Sequence, residues 1–99
     1  MTNNSIYPAL ENSESTFEID IVNKVSKTTL PHVEVDVRNQ LGQIADAYGG
    51  DIGIDNVSGK ILFENKRTGV TTNDSNETVE SLGLRAGDVL AVSYDCNVA

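Results

Sequence analysis

Apolar and polar positions along this chain fall into a few short periodic runs. Phe17, Ile19 and Ile21 alternate with Glu18 and Asp20, the two-residue period of a strand with one buried face. Val33, Val35 and Val37 alternate with Glu34 and Asp36 and predict a second strand. Between them Asn23–His32 is polar and contains Pro31, which predicts a loop of about ten residues, longer than a tight hairpin needs. Val33, Val37, Leu41, Ile44 and Tyr48 also fit a helical period, with Pro31 at a first-turn position. Three β-branched residues in alternation favour the strand over that rival.

Asn39–Tyr48 then predicts a helix with Leu41, Ile44, Ala45 and Tyr48 on one face, stopped by Gly49-Gly50. Gly42 inside it costs about 1 kcal/mol relative to Ala, so packing rather than propensity must hold this helix. Ile52 and Ile54 are read as loop residues. Lys60–Glu64 predicts a third strand, and Arg67-Thr68-Gly69-Val70 a turn into a short fourth. Thr72–Glu77 is a polar loop, Thr78–Leu82 one helical turn capped by Thr78, and Arg85–Asp88 a turn. Val89–Tyr94 is the last strand, with Leu90, Val92 and Tyr94 inward and Ala91 and Ser93 outward. The order is β-β-α-β-β-β, an α+β domain with one helix over a mixed sheet and its first and last strands adjacent at the centre. The expected core comprises Ile19, Ile21, Val35, Leu41, Ile44, Ile61, Leu82, Leu90 and Val92.

Ninety-nine residues with 38% hydrophobic content make one domain with a modest core. Residues 1–15 are polar and acidic, contain Pro8 and show no period, which predicts a disordered tail. Ile6, Tyr7 and Leu10 form a small apolar cluster within it. Fifteen acidic against seven basic residues, a net charge of −8, disfavour a nucleic-acid or anionic-membrane partner and suit solubility and basic protein partners. A single cysteine, Cys96, excludes an intrachain disulfide framework. The N-terminus has no basic flank or apolar run of a secretory signal, and no segment approaches the ~20 apolar residues of a membrane span. The expected molecule is a soluble cytoplasmic monomer.

Candidate chemistry is sparse. His32 is the only histidine, beside Pro31, and builds no Ser-His-Asp or Cys-His pair. Cys96 has no neighbouring His and reads as a bland tail thiol. Asp51, Asp55 and Asn56, and separately 73–77, lack calcium-loop spacing; Gly49–Gly53 lacks the Lys-[Ser/Thr] of a phosphate loop. The chain reads as non-enzymatic, without cofactor or metal.

Taken together, Ile61-Leu62-Phe63, Thr78-Val79, Leu82-Gly83-Leu84 and Gly87-Asp88-Val89-Leu90 have the order and spacing of the second half of ubiquitin. The chain from about Phe17 to Ala99 resembles the ubiquitin-like β-grasp family, and in particular stand-alone bacterial ubiquitin-like proteins, including small accessory proteins of type VII secretion systems. The resemblance implies a protein that acts by being recognised. It places a partner-binding surface on the sheet face opposite the helix, at Leu62, Ala91 and Ser93, with Val25 as a loop candidate. Here two of those positions are small, so a partner built for ubiquitin's apolar patch would find little to anchor it. The resemblance also draws attention to a tail, Asp95, Cys96, Asn97, Val98 and Ala99, as long as ubiquitin's. It ends in Val98-Ala99 rather than diglycine, and a β-branched Val should clash in a conjugating channel shaped for Gly. The expected role is a modifier in a bacterial ubiquitination-like pathway with its own activating and conjugating enzymes or processing peptidase. The alternative is a non-covalent adaptor of secretion components, bound through the sheet face.

Overall fold

The computed structural model describes residues 15–54 and 61–94. Residues 1–14 of the expected N-terminal tail, the expected tail 95–99 and the segment 55–60 lie outside the described residues. Strands β1 (Thr16–Asn23) and β2 (Thr29–Asp36) precede helix α1 (Leu41–Ile52). Strands β3 (Ile61–Asn65), β4 (Thr71–Thr72) and β5 (Val89–Tyr94) follow it. The sheet order is β2-β1-β5-β3-β4, with β1 and β5 parallel and all other pairs antiparallel. This is the ubiquitin-like β-grasp arrangement expected from the sequence. Every residue of the expected core is buried, and Val33, Ile52, Ile54, Phe63, Val79 and Leu84 join them.

The first hairpin differs from expectation. The predicted ten-residue loop is a shorter connection, because β2 begins at Thr29 and runs through Pro31. Ile19 pairs with Val33 but Ile21 with Leu30, so Pro31 and His32 together oppose Asp20 in a β-bulge. His32 takes φ 58°, and its N–H donates to Asp20 Oδ1 at 3.1 Å. The extra residue changes the phase of alternation. Leu30 thereby reaches the core side instead of facing solvent. A proline is tolerated because β2 is an edge strand, where a missing N–H removes no ladder bond. Val37 lies past the end of the strand, in the turn to the helix. Ser15, expected in the tail, is tied to the sheet: its carbonyl accepts from Val37 N–H at 2.9 Å.

The helix also runs further than its glycines suggest. It passes through Gly49-Gly50 and ends at Gly53, which takes φ 78°. Ile54 N–H then donates to Gly49 O at 2.8 Å, the closing bond of a Schellman motif. Gly49 permits that closure, since a Cβ there would lie 3.1 Å from Ile54 O. Ile52 is therefore helical and buried rather than a loop residue. Gly42, Gly49 and Gly50 cost about 1 kcal/mol each relative to Ala. Burial of Leu41, Ile44 and Ile52 contributes about 1.5–3 kcal/mol each, so packing prevails.

The polar loop between β4 and the 78–82 turn completes the helix. Its carbonyls accept from the first helical N–H groups: Glu77 O from Leu41 at 2.8 Å and Ser75 O from Gly42 at 2.9 Å. Gln40 N–H is held by Gln43 Oε1 at 2.9 Å. Such close approach requires a glycine at 42, because a Cβ there would lie 2.9 Å from Ser75 Cβ and 3.2 Å from Ser75 O. Thr78 caps its turn as expected, exchanging bonds with Ser81 in both directions at 2.9 and 3.0 Å.

Two helix glycines should therefore respond oppositely to alanine. Gly50→Ala, where nothing lies within 4 Å of the new methyl, should raise stability by about 0.5–1 kcal/mol in urea unfolding. Gly42→Ala should lower it by roughly 1–3 kcal/mol despite the better helix former. A stabilised Gly42→Ala protein would contradict the loop-on-helix contact.

Candidate functional site

The helix and the 78–84 segment cover one face of the sheet, and the other face carries no element of the described chain. Strand register sets what that outer face displays. Val22 of β1, Ala91 of β5, Glu64 of β3 and Thr71 of β4 lie in one cross-strand row. Ser93 and Leu62 form the adjacent pair, and Asp20 and Val89 another. Leu62 and Ser93, predicted as partner-binding residues, are thus direct neighbours, each half-buried. Val25 sits in the β1–β2 connection at the same end of the sheet and is 71% exposed. Asp95, Cys96, Asn97, Val98 and Ala99 lie outside the described residues.

Ala91 requires a correction. It projects outward as expected, yet its relative exposure is 0%. A single methyl on the central strand is overtopped by Val22 and Glu64 on either side. Lys24, the residue after β1, lies alongside β5 through its N–H to Val92 O at 2.9 Å, and its Nζ reaches Glu64 Oε1 of β3 at 2.9 Å, an ion pair that crosses over β5. Half-exposed as it is, the pair contributes little stability, about 0–1 kcal/mol. Its effect is steric: it occupies the space above small residues on β5. Ala91 therefore offers no contact surface, and the ion pair stands beside Leu62 and Ser93.

Three buried polar side chains hold the ends of this face. Asn23, at the end of β1, donates through Nδ2 to Ile52 O at 2.8 Å and accepts at Oδ1 from Val25 N–H at 2.8 Å. Asn65, at the end of β3, donates to Leu82 O at 3.1 Å and accepts from Arg67 N–H at 3.0 Å. Asp88 accepts from Arg67 Nε at 2.9 and 3.1 Å and from Arg85 N–H at 2.9 Å. Burial raises the Asp88 pKa, but the Arg67 guanidinium, the Arg85 N–H and the nearby cationic charge outweigh it and hold the carboxyl below its ordinary range. Asp36, clamped at both oxygens by Arg38, is likewise held below the ordinary carboxylate range. Sequence reading missed both asparagines; an Asn that closes a strand immediately before a turn is the available signal.

Two open concavities flank the sheet. One, of about 280 Å³, lies between the β2 edge and α1, where Val35, Ile44 and Tyr48 meet. Its strand edge is partly closed, because Asn39 bonds both the N–H and the C=O of Asp36 at 2.8 and 2.9 Å. The other, about 520 Å³, opens beside the bulge and is lined by Phe17, Glu18, Asp20, His32, Ala86 and Gly87. His32 Nδ1 is 3.4 Å from Glu18 Oε1. Among the described residues, no group of three or more His, Cys, Asp or Glu side chains could hold a metal ion.

No protein-family model matches the chain, and no curated protein matches its sequence. Its backbone is similar to solved ubiquitin-like domains. The solution structure of the UBL domain of yeast Ddi1 aligns with TM-score 0.63 at 16% identity, covering 86% of this chain and 95% of that one. Tubulin-binding cofactor B of Trypanosoma brucei aligns with TM-score 0.65 at 12% identity, covering 81% and 95%. The C-terminal ubiquitin-like domain of mouse tubulin-specific chaperone e gives TM-score 0.61 at 9% identity, covering 86% and 92%. At these identities the similarity establishes the fold.

Asp88 gives the site a testable pH signature. Its folded pKa lies below the unfolded 3.8, so its stabilisation is full well above that value and is lost as pH falls through the folded one. Asp88→Asn should cost roughly 1–3 kcal/mol at pH 7. The gap from wild type, read from urea midpoints, should narrow as pH is lowered through and below the unfolded value of 3.8. A gap independent of pH would show that the charge contributes nothing.

Proposed function

We propose that this chain is a ubiquitin-like protein-recognition module that binds protein partners non-covalently through the outer face of its sheet. The observation that carries this reading is a sheet face that no described element covers, with Leu62 and Ser93 paired on it and Val25 exposed at the same end. A face that no described element covers, while the opposite one is packed, is where a partner can gain area. Small β5 residues and the Lys24–Glu64 pair make it flatter and more polar than an apolar patch. A matching partner is one that meets a polar rim and a single apolar anchor. The structural neighbours, among them a UBL domain and a C-terminal ubiquitin-like domain, are consistent with a module of this kind.

A second reading makes the chain a modifier of a bacterial ubiquitination-like pathway, working through Asp95–Ala99. Its support is that β5, the strand that precedes those residues in the chain, occupies the centre of the sheet and ends at Tyr94, paired with Ile61. In either reading the chain is recognised rather than catalytic, and its partners are proteins.

Crosslinking from position 62 in the native host would identify a partner for purification. Binding to that partner should weaken about tenfold or more with Leu62→Ser or Ser93→Lys. It should be unaffected by Ala47→Lys on the helix or by removal of Asn97–Ala99. Branched peptides carrying this tail on another protein's side chain, together with loss of function on tail removal, would transfer the assignment to the modifier.

A further inference from the structure

The edges of a sheet are rows of backbone groups with which a further strand can pair. Here they are β2 and β4. β4 is two residues long, too short to template a strand. β2 is eight residues long, so its outward groups decide the matter. Hydrogen bonds at its two ends set the alternation: Val37 N–H donates to Ser15 O, and Asn23 N–H donates to Thr28 O. Odd-numbered residues of β1 therefore bond β2, while Glu18 O and Asp20 N–H serve the β5 side. Leu30, Val33 and Val35, opposite Ile21, Ile19 and Phe17, turn their backbone groups toward β1. Thr29, Glu34 and Asp36 turn theirs outward, with the bulge residues Pro31 and His32 between them.

Few of these donors are open. Asp36 N–H is held by Asn39 Oδ1 at 2.8 Å, and His32 N–H is turned in to Asp20 Oδ1 at 3.1 Å. Pro31 has no N–H. Thr29 and Glu34 are left, five positions apart, whereas a ladder needs an outward donor at every second residue. Charge acts in the same direction. Two copies paired about Glu34 would set that carboxylate against its own counterpart, beside Glu18, which stands opposite Glu34 within the chain.

We infer that the β2 edge is closed to strand addition, whether by a second copy of this chain or by an extended peptide, and that the Pro31–His32 bulge and the Asn39 side chain close it. This goes beyond the proposed recognition role and concerns a surface that role does not use. The bulge puts the outward donors out of phase. Asn39 supplies to Asp36 the bond that a neighbouring strand would make. Its backbone is held for the purpose, with its N–H donating to Asp36 O at 2.9 Å and its C=O accepting from Val79 N–H at 2.9 Å. A partner that reaches the concavity between β2 and α1 meets side chains there, Gln43 and Tyr48 among them, and no ladder.

Amide hydrogen exchange on the full 99-residue chain reads the donors directly. After correction for intrinsic rates, Thr29 and Glu34 should exchange about tenfold or more faster than His32 and Asp36. Comparable protection at all four would overturn the inference. A second arm opens the edge by combining Pro31→Thr, deletion of His32 and Asn39→Ala. Outward donors then stand at positions 29, 31, 34 and 36, every second residue once His32 is gone. In sedimentation the unaltered chain should remain monomeric to about 1 mM, and the variant should associate at least about tenfold more tightly. A synthetic peptide of alternating Thr and Val should shift β2 amides in the variant alone. The variant's amide spectrum verifies its fold, and the exchange arm decides by itself if that fold is lost. A folded variant that stays monomeric and ignores the peptide would overturn the inference, as would an unaltered chain that dimerises or binds the peptide through Thr29 and Glu34.

Discussion

Everything on the outer face depends on the insertion of β5 between β1 and β3. Its parallel pairing with β1, from Asp20↔Val89 to Asn23↔Val92, joins the beginning of the chain to its end. Its antiparallel pairing with β3 then brings Leu62 beside Ser93. Contacts this distant in sequence carry a large loop-closure cost, so they must be repaid by burial. The central strand supplies it, with Leu90, Ala91 and Val92 all buried. Without β5 the two hairpins share no ladder, and neither the Lys24–Glu64 crossing nor the Arg67–Asp88 clamp has its partners in reach.

Buried polar groups translate that scaffold into fixed turns. Asn23 and Asn65 each end a strand, hold the first N–H groups of the following turn, and bond a distant carbonyl on α1 or the 78–82 segment. Asp88, just before β5, instead accepts from Arg85 N–H of the preceding turn and from the distant Arg67 guanidinium. Each such group is satisfied, which is the condition under which burial of polar atoms adds specificity rather than strain. Replacing any one alone would leave its partners unpaired in the interior, a cost of roughly 1–3 kcal/mol for each orphaned group. The polar loop 72–77 belongs to the same economy of hydrogen bonds. Its carbonyls complete the start of a glycine-rich helix, beside the bond from Gln40 N–H to Gln43 Oε1.

For recognition, the outer face divides into a flat part and a charged part. At Leu62 and Ser93 the surface is nearly level, because Ala91 is covered and the Lys24–Glu64 pair fills the gap above β5. Toward the bulge it carries Glu18, Asp20 and Glu34, which among the described residues pair with no Lys or Arg. A partner suited to one part is chemically unlike a partner suited to the other. The division follows from side-chain size on one strand and from charge on its neighbours.

The strands were legible in the alternation of Phe17-Ile19-Ile21 and Leu90-Val92, and the core was legible for the same reason: a two-residue period assigns faces before any partner is known. The helix was legible in its apolar face but not in its length, since Gly49-Gly50 reads locally as a stop and is overruled by burial of Ile52 and by the left-handed cap at Gly53. Pro31 hid half of β2, because whether a proline breaks a strand depends on which edge it occupies. At the candidate site, Leu62 and Ser93 could be placed on the outer face from pattern and resemblance. The burial of Ala91 could not, because it depends on Val22 and Glu64, which lie far from it along the chain and beside it only in the sheet. The ion pair across β5, the like-charged Glu18–Glu34 pairing and the two asparagine anchors share that origin. Periodicity determined which residues turn inward; register and long-range packing decided what each outward residue meets, because those neighbours are set by strand order and not by sequence distance.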